Sequence, residues 1–250
     1  MDDVVDALDA AAGTTCLVGA GGKKTTLYAL ADRLDRAVLT ATVRIPIFDR
    51  EVAAVRVTDD PVTAIEALRE TDSSAGDDAF PLGLVPERER DDRYRGYDTA
   101  VVDELAAAHD GPVLVKADGA RTRLLKAPDE REPQVPAGAD RVIPVASVAA
   151  VGEPLTAETV HRPERVAAIT GAELGDEITP EMVGHVLAEP RGGLKDVPPD
   201  ATAIPLINAV DDDADETTAR SVARVVHERA DVPRVVLARM IAGEVVDVVE

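Results

Sequence analysis

The chain has 250 residues and a mass of 26.3 kDa, a length that suits one large domain. Its 48 acidic residues outnumber 27 basic ones, and the resulting net charge of −21 repels nucleic acid and anionic membranes. The acid excess and the five lysines suggest a halophilic protein of a salt-rich cytoplasm, and no apolar run approaches the roughly 18 residues of a membrane helix.

The N-terminal part predicts the opening of a parallel sheet. Hydrophobic spacing predicts a helix over 3–12, a strand over 14–18, a helix over 25–36 and a strand over 37–42. The single cysteine, Cys16, lies in the first of these strands, where we expect a buried structural thiol. A strand, a glycine-rich loop, a helix and a second strand form a βαβ unit.

The rest of the chain alternates helices with strands. We predict helices over 61–69, 98–109, 158–170, 179–188 and 215–229, and strands over 112–116, 141–145, 202–207, 233–238 and 244–249. Residues 71–97 are rich in charges and predict a long loop insertion, either a lid or a solvated segment. The alternation predicts one three-layer α/β/α domain over 1–250 with a mainly parallel sheet, in which 150–200 is a helical segment.

A glycine-rich loop follows the first strand and leads into a helix. Its residues are Gly19, Ala20, Gly21, Gly22, Lys23, Lys24, Thr25 and Thr26. A dinucleotide fingerprint needs a third glycine at position 24 and an acid about 20 residues on, and the chain has neither. The phosphate-binding P-loop pattern is closer, with either Lys24 before Thr25 or Lys23 after Gly22 as the phosphate lysine. The loop therefore predicts a P-loop NTPase-like fold in which backbone amides bind phosphates and the Thr25 hydroxyl binds Mg²⁺.

An acid and a basic stretch follow the strand over 112–116. Asp118 occupies the position that in P-loop proteins binds the Mg²⁺ shell or orients water. The stretch has four basic groups, which hold a phosphate, an anionic substrate or neighbouring carboxylates: Lys116, Arg121, Arg123 and Lys126. The candidate catalytic residues are Asp118, Arg121 and Lys126, and the candidate metal ligands are Thr25 and Asp118.

A second polar pair follows the strand over 202–207. Asn208 and Asp211 have the spacing of the base-reading element of GTPases, but Ala209 stands where that element usually has lysine. An acidic helix entrance explains the same residues equally well. The nucleotide is therefore predicted to be ATP or GTP, with no choice between the two bases.

Taken together, these motifs resemble the YqeC family. The matching stretches are 18–23 with 25–27, 117–121 with 125–128 and 132–133, then 160–164, 179–181, 192–195 and Asn208 with Asp211. The resemblance implies a P-loop nucleotide-binding fold and a role in supplying or installing the selenium-containing cofactor of molybdenum hydroxylases. The chain departs from the family pattern at Lys24, where a hydroxyl is common, at Lys116, where Glu is common, and at Ala209.

The leading hypothesis is a cytoplasmic nucleotide-binding accessory protein for maturation of a selenium-dependent molybdenum hydroxylase, with slow NTP hydrolysis. Its partners would be a nucleotide with Mg²⁺ and the hydroxylase or its cofactor. One alternative is a phosphoryl- or nucleotidyl-transferase acting on a small cofactor precursor. The other is a non-catalytic binding module gated by the nucleotide.

Overall fold

A computed structural model describes residues 3–69 and 78–250 of the chain. The helices in these ranges are α1 (Val4–Ala7), α2 (Lys23–Ala31), α3 (Pro61–Arg69), α4 (Thr99–Ala108), α5 (Pro163–Thr170), α6 (Pro180–Ala188) and α7 (Asp213–Arg229). The strands are β1 (Thr14–Gly19), β2 (Val38–Ala41), β3 (Ile45–Pro46), β4 (Ala54–Val57), β5 (Leu82–Val85), β6 (Arg93–Tyr94), β7 (Val113–Lys116), β8 (Leu125–Lys126), β9 (Arg141–Ser147), β10 (Val160–His161), β11 (Thr202–Ala203), β12 (Leu206–Asn208), β13 (Val235–Arg239) and β14 (Glu244–Val249).

Ten of these strands form one mixed, mostly parallel sheet. Its order is β14-β13-β12-β9-β1-β7-β2-β5-β4, with β11 also paired to β9, and the β13–β14 pair is antiparallel. From β1 the chain passes to β2 on one side, whereas β9 and β12 lie on the other side. Ligands of open α/β sheets bind at such a reversal of strand order, outside the carboxyl ends of the strands.

Helices cover both faces of the sheet. Within β1, Leu17 packs in a core cluster with α1 and α2, whereas Cys16 and Val18 pack in a cluster with α3 and α4. The second face continues into a cluster formed with α5, α6 and α7. Alternate residues of a strand point to opposite faces, so the predominantly apolar central strands are buried on both sides. The predicted α/β class is confirmed, and Cys16 is a buried free thiol whose pKa is raised by burial.

The N-terminal helices differ from the prediction in extent. The helix predicted over 3–12 reduces to α1, and Asp9 beyond it has a positive φ of 52° that a continuing helix does not allow. The helix predicted over 25–36 starts at Lys23, directly after Gly22, and ends at Ala31. The glycine loop is therefore shorter than expected, and both lysines belong to the first turn of α2.

The prediction of a loop over 71–97 is wrong for its second half. Strands β5 and β6 lie there, and β4 before it was also missed. Leu82 and Leu84 of β5 are fully buried, and β5 pairs with β2 and β4. In the eight uncharged residues over 79–86, Pro81, Gly83 and Pro86 interrupt the apolar residues, so that no periodicity indicates a strand. The first part of the predicted loop, over 70–77, lies outside the described residues.

Prolines explain two further differences. The helix predicted over 158–170 begins at Pro163, because residues 160–161 form β10, which pairs with β8. The strand predicted over 202–207 is divided into β11 and β12 on either side of Pro205, which has no backbone N–H. The helix predicted over 179–188 is confirmed as α6, at whose start the Thr179 hydroxyl accepts a hydrogen bond from the Met182 amide.

Candidate functional site

Four strands of the sheet end at one place. The glycine loop follows β1, Asp118 lies just beyond β7, and Ser147 and Asn208 are the last residues of β9 and β12. These strands are parallel neighbours in the order β12-β9-β1-β7, so their carboxyl ends share one edge of the sheet. Most of the residues predicted from separate motifs are therefore brought together.

The conformation of the loop depends on its glycines. Gly19, Gly21 and Gly22 have φ angles of 88°, 78° and 150°, in the region that favours glycine. A Cβ on Gly19 would lie 2.3 Å from the Val145 carbonyl oxygen, which accepts a hydrogen bond from the Ala20 amide. The close approach to β9 leaves no room for a side chain at position 19.

The first turn of α2 borders the loop and has free donors. Gly22 is its N-cap residue and provides no side-chain cap. Within residues 3–69 and 78–250, no acceptor pairs with the backbone amides of Lys23, Lys24 and Thr25. The first amides of a helix have no partner inside the helix, and together with the helix dipole they form an anion-binding site. The Thr26 hydroxyl differs from its neighbours, because it donates back to the Gly22 carbonyl.

Asp118 lies between two lysines behind the loop. Its carboxylate is 2.8 Å from the Lys23 ammonium and 2.8 Å from the Lys126 ammonium, and its side chain is 2% exposed. It also accepts a hydrogen bond of 2.8 Å from the Gly19 amide, while Lys23 donates to the Gly19 carbonyl. Burial alone would raise the pKa of Asp118, but the two ammonium groups lower it. The carboxylate therefore fixes both the loop and its lysine.

The charged network continues behind the loop. Lys126, whose side chain has no exposed surface, lies 2.7 Å from Glu132, and Arg162 lies 2.9 Å from the same carboxylate. Arg162 also pairs with Asp129 at 2.5 Å. The basic stretch was predicted to hold a phosphate, an anionic substrate or neighbouring carboxylates, and Lys126 holds neighbouring carboxylates. Glu132 and Arg162 belong to stretches that resemble the family, but no local pattern in the sequence gives them this role.

A cavity of about 620 Å³ opens in front of the loop. Eight of the chain's 27 basic residues line it, against one acid, Glu132. The eight are Lys23, Lys24, Arg44, Arg90, Arg93, Lys116, Arg121 and Arg162. This concentration of positive charge in a chain of net charge −21 indicates an anionic ligand. Asp118 and Lys126 do not belong to the lining and lie behind it.

Lys116 is a buried cation beside this cavity. Its ammonium donates to the carbonyl oxygens of Arg44 at 2.9 Å and Asp118 at 2.7 Å, and the residue is 6% exposed. Burial and the neighbouring Lys23 lower the pKa of Lys116 to about 7. Its hydrogen bonds connect β7 to the segment that leads into β3.

A second cavity of about 380 Å³ adjoins the other side of the loop. Asn208, Ala209 and Asp211 line it, so the two polar residues predicted after β12 lie near the loop. Asn208 is buried and donates a 2.7 Å hydrogen bond to the Gly21 carbonyl. Asp211 is different: its side chain is 61% exposed and lies 3.7 Å from Arg239.

Unusual backbone conformations concentrate at these cavities. Among the described residues, seven that are not glycine have a positive φ, and four of the seven line one of the two cavities. The four are Arg121 (49°), Thr122 (60°), Arg162 (66°) and Ala209 (62°). Such conformations cost free energy and cluster at functional sites. Arg121 therefore lines the cavity on a constrained turn.

Two further features are absent from the part of the chain that the structure describes. Within it there is no group of three or more histidine, cysteine, aspartate or glutamate residues that could hold a metal ion. None of its helices combines the length and the apolar character needed to cross a bilayer.

The fold and the site define a mostly parallel α/β protein with a glycine loop at the junction of a central strand and its helix. A family model described as YqeC protein matches residues 15–164, and the chain belongs to this family, as the sequence motifs predicted. The chain is 29% identical over 199 residues to the uncharacterized protein YqeC of Escherichia coli (strain K12). That match covers 77% of this chain and 74% of the relative. No solved structure matches the chain.

Proposed function

We propose that the protein binds a nucleoside triphosphate at the glycine loop, as a P-loop NTPase-like protein does. The observation that carries the proposal is the set of free amides at the start of α2, which border a cavity lined by eight basic residues. Lys24 supports it further, since it lines the cavity and its ammonium pairs with no acid in the described ranges. In this proposal Lys24 binds the outer phosphate oxygens, while Lys23 holds the loop through Asp118.

The two adjoining cavities suit the two ends of a nucleotide. They share Gly21, Gly22, Thr25 and Thr122, so a ligand can extend from one to the other around the loop. Their volumes of about 620 and 380 Å³ are in the range of small-molecule sites. We assign the phosphates to the larger cavity and the base of ATP or GTP to the smaller one, beside Asn208 and Asp211.

Mg²⁺ fits this site through oxygen ligands. The Thr25 hydroxyl lines both cavities and makes no hydrogen bond with the described residues, so it suits a Mg²⁺ ion that also takes phosphate and water oxygens. Asp118, which the sequence predicted as a metal ligand, is not free to bind the ion, because the two lysines and the Gly19 amide occupy its carboxylate. The bound ion would neutralise phosphate charge. Because the Asp118 carboxylate is occupied in this way, we expect slow hydrolysis of the nucleotide.

The biological role in the proposal rests on membership of the YqeC family. We infer a cytoplasmic accessory protein that assists maturation of a selenium-dependent molybdenum hydroxylase, with binding and slow hydrolysis of a nucleotide. The hydroxylase, or its cofactor, is then the partner. A non-catalytic module gated by the nucleotide would have the same binding site and no turnover.

Calorimetric titration of ATP and GTP with Mg²⁺, in KCl-rich buffer, tests the binding. Lys24→Ala should weaken the affinity at least about tenfold, because it removes a charge-assisted contact to phosphate. Lys195→Ala is the matched control, since Lys195 pairs with Asp196 and lines neither cavity. Absence of binding to the parent protein, or equal affinities for the two variants, would contradict the proposal.

A transferase is the second candidate, because the basic lining extends beyond the glycine loop to Arg44, Arg90 and Arg93. This extent leaves room for a second substrate next to the phosphates. Phosphate release distinguishes the candidates: an accessory NTPase turns over slowly by itself or with its partner enzyme. A transferase stays idle until a phosphoryl acceptor is added, and a binding module never turns over.

A further inference from the structure

Part of the wall of the larger cavity lies outside the glycine loop and belongs to a small separate sheet. Strands β3 and β6 pair in a small antiparallel sheet, and the chain just before β6 turns back at residues 90–93, here called the arginine turn. The Arg90 amide donates to the Arg93 carbonyl at 3.1 Å, and the Arg93 amide donates to the Arg90 carbonyl at 3.2 Å. Both arginines line the cavity.

This pairing brings two like charges together. Residues directly opposite each other in an antiparallel pair have Cβ atoms about 4.5–5.5 Å apart, and like charges in that position are destabilising. Arg93 has one carboxylate nearby, that of Asp92 at 3.4 Å. The Arg90 side chain forms no ion pair or hydrogen bond with any residue in the described ranges. In the described ranges, the Asp92 carboxylate is thus the one acid that pairs with either arginine.

Two nearby acids pair with other arginines, and neither Asp91 nor Asp92 of the turn lines the cavity. Glu89 pairs with Arg44 through two hydrogen bonds, and Glu87 lies 3.8 Å from Arg95. Glu132, the one acid in the cavity lining, is held by Lys126 and Arg162. Lys116 adds a buried cation to the same cavity. Among the described residues that line the cavity, basic groups therefore far outnumber acids, which favours an anionic ligand from outside the chain.

We propose that Arg90 and Arg93 form a second anion subsite, which binds the phosphate group of a small phosphorylated molecule while a nucleotide occupies the glycine loop. The inference rests on the proposed function and names the chemical class of the second ligand. A phosphate group matches two adjacent guanidinium groups, because each guanidinium donates a planar pair of hydrogen bonds to two of its oxygens. Its double negative charge also relieves the repulsion between the two arginines.

The test is titration of inorganic phosphate into protein saturated with Mg²⁺ and a non-hydrolysable ATP analogue, so that the glycine loop is filled. The parent is compared with the double variant Arg90→Gln/Arg93→Gln. Arg95→Gln is the matched control, since Arg95 comes from the same segment and does not line the cavity. We expect phosphate affinity to fall at least about tenfold in the double variant and to be unchanged in the control. Nucleotide affinity should be unchanged in the Arg95→Gln control, and in the double variant it should fall less than phosphate affinity does.

A thermal measurement guards against misfolding. The double variant should melt at the same temperature as the parent or higher without phosphate, because the like-charge pair is removed. Added phosphate should raise the melting temperature of the parent and of Arg95→Gln more than that of the double variant.

Two results would overturn the subsite: phosphate that binds only when the nucleotide is absent, or equal phosphate affinities of parent and double variant. Failure of the proposed function looks different, since the analogue itself then does not bind. In that case phosphate is titrated into Lys24→Ala protein with and without the two arginine substitutions. Loss of phosphate binding with the arginines then supports the subsite, and unchanged binding refutes it.

Discussion

The side-chain amide of Asn208 donates a 2.7 Å hydrogen bond to the Gly21 carbonyl, across 187 residues of sequence. The Asn208 amide oxygen accepts a 2.9 Å hydrogen bond from the Met240 backbone amide. One buried side chain at the end of β12 thus joins the glycine loop to the segment after β13. The residue predicted to lie beside the base also supports the phosphate loop.

Replacing Asn208 with alanine should therefore affect both stability and binding. The substitution leaves the buried Gly21 carbonyl and Met240 amide without partners, which should lower the free energy of unfolding by about 1–3 kcal/mol. Nucleotide affinity should also fall, because the loop loses its lateral support. Urea denaturation and calorimetry measure the two effects. Asp211→Asn is the control, since Asp211 is exposed and should leave stability unchanged; an Asn208→Ala protein as stable as this control would contradict the bracing role.

The two adjacent lysines should respond differently to substitution by methionine. Lys23→Met breaks a buried ion pair with Asp118, and unfolding free energy should fall by about 3 kcal/mol. Lys24→Met should leave stability nearly unchanged and weaken nucleotide binding, since Lys24 forms no ion pair within residues 3–69 and 78–250. Denaturation midpoints and binding titrations of both variants measure this. If Lys24→Met destabilised the protein and Lys23→Met weakened only nucleotide binding, Lys23 would be the phosphate lysine and the assignment would be wrong.

Two effects on stability can be measured separately at Gly19: the close approach of its backbone to β9, and its positive φ angle. Gly19 and Gly152 have φ angles of 88° and 86°, and alanine at either position costs about 1–2 kcal/mol for the left-handed conformation. A Cβ at position 152 meets no atom of the described residues within 4 Å, whereas at position 19 it would lie 2.3 Å from the Val145 oxygen. Gly19→Ala should therefore lose roughly 2 kcal/mol more than Gly152→Ala in chemical denaturation. Equal losses would mean that β9 moves away without cost.

His161 should make stability depend on pH in the acidic range. Burial, with help from Arg162 and Lys126, lowers its pKa from 6.5 to about 4. Between these values the unfolded chain binds a proton that the folded protein does not, so stability is full above pH 6.5 and falls as the pH decreases toward 4. The side chain is half-buried, so solvent screening limits the loss to about 1 kcal/mol.

His161→Gln removes this titration. Unfolding free energies measured by urea denaturation over a pH series should show a smaller slope between pH 4 and 6.5 than those of the parent, with equal values near pH 8 as the internal control. Parallel curves for parent and variant over that range would show that His161 has its ordinary pKa in the folded state.

The sequence was sufficient to predict the opening βαβ unit and the residues at the ends of β1, β7 and β12. Each of these follows a continuous apolar run, and local periodicity identifies such runs. The strand at 82–85 was missed because Pro81, Gly83 and Pro86, which are typical of loops, interrupt its short apolar stretch. Its burial is decided by β2 and β4, which are distant in the chain.

The contacts inside the site could not be predicted from local sequence patterns either, because they join residues that are distant in the chain. Asp118 was placed in the site by its position after a strand, but a motif does not indicate that Lys23 and Lys126 both bind its carboxylate. The choice between Lys23 and Lys24 also depended on where α2 begins. Both lysines line the cavity, and only the folded structure shows that Lys23 is buried and paired with Asp118, whereas Lys24 forms no ion pair with the described residues.

The bonds that Asp118 makes to the Gly19 amide and the Lys23 ammonium have a kinetic consequence. They hold the loop in its curved form before any ligand arrives, so the conformational entropy of shaping it is lost during folding. A preorganised receptor of this kind needs little rearrangement on encounter. Ligand capture should then be close to a rigid-body event whose rate is set by diffusion and by the positive potential at the cavity mouth.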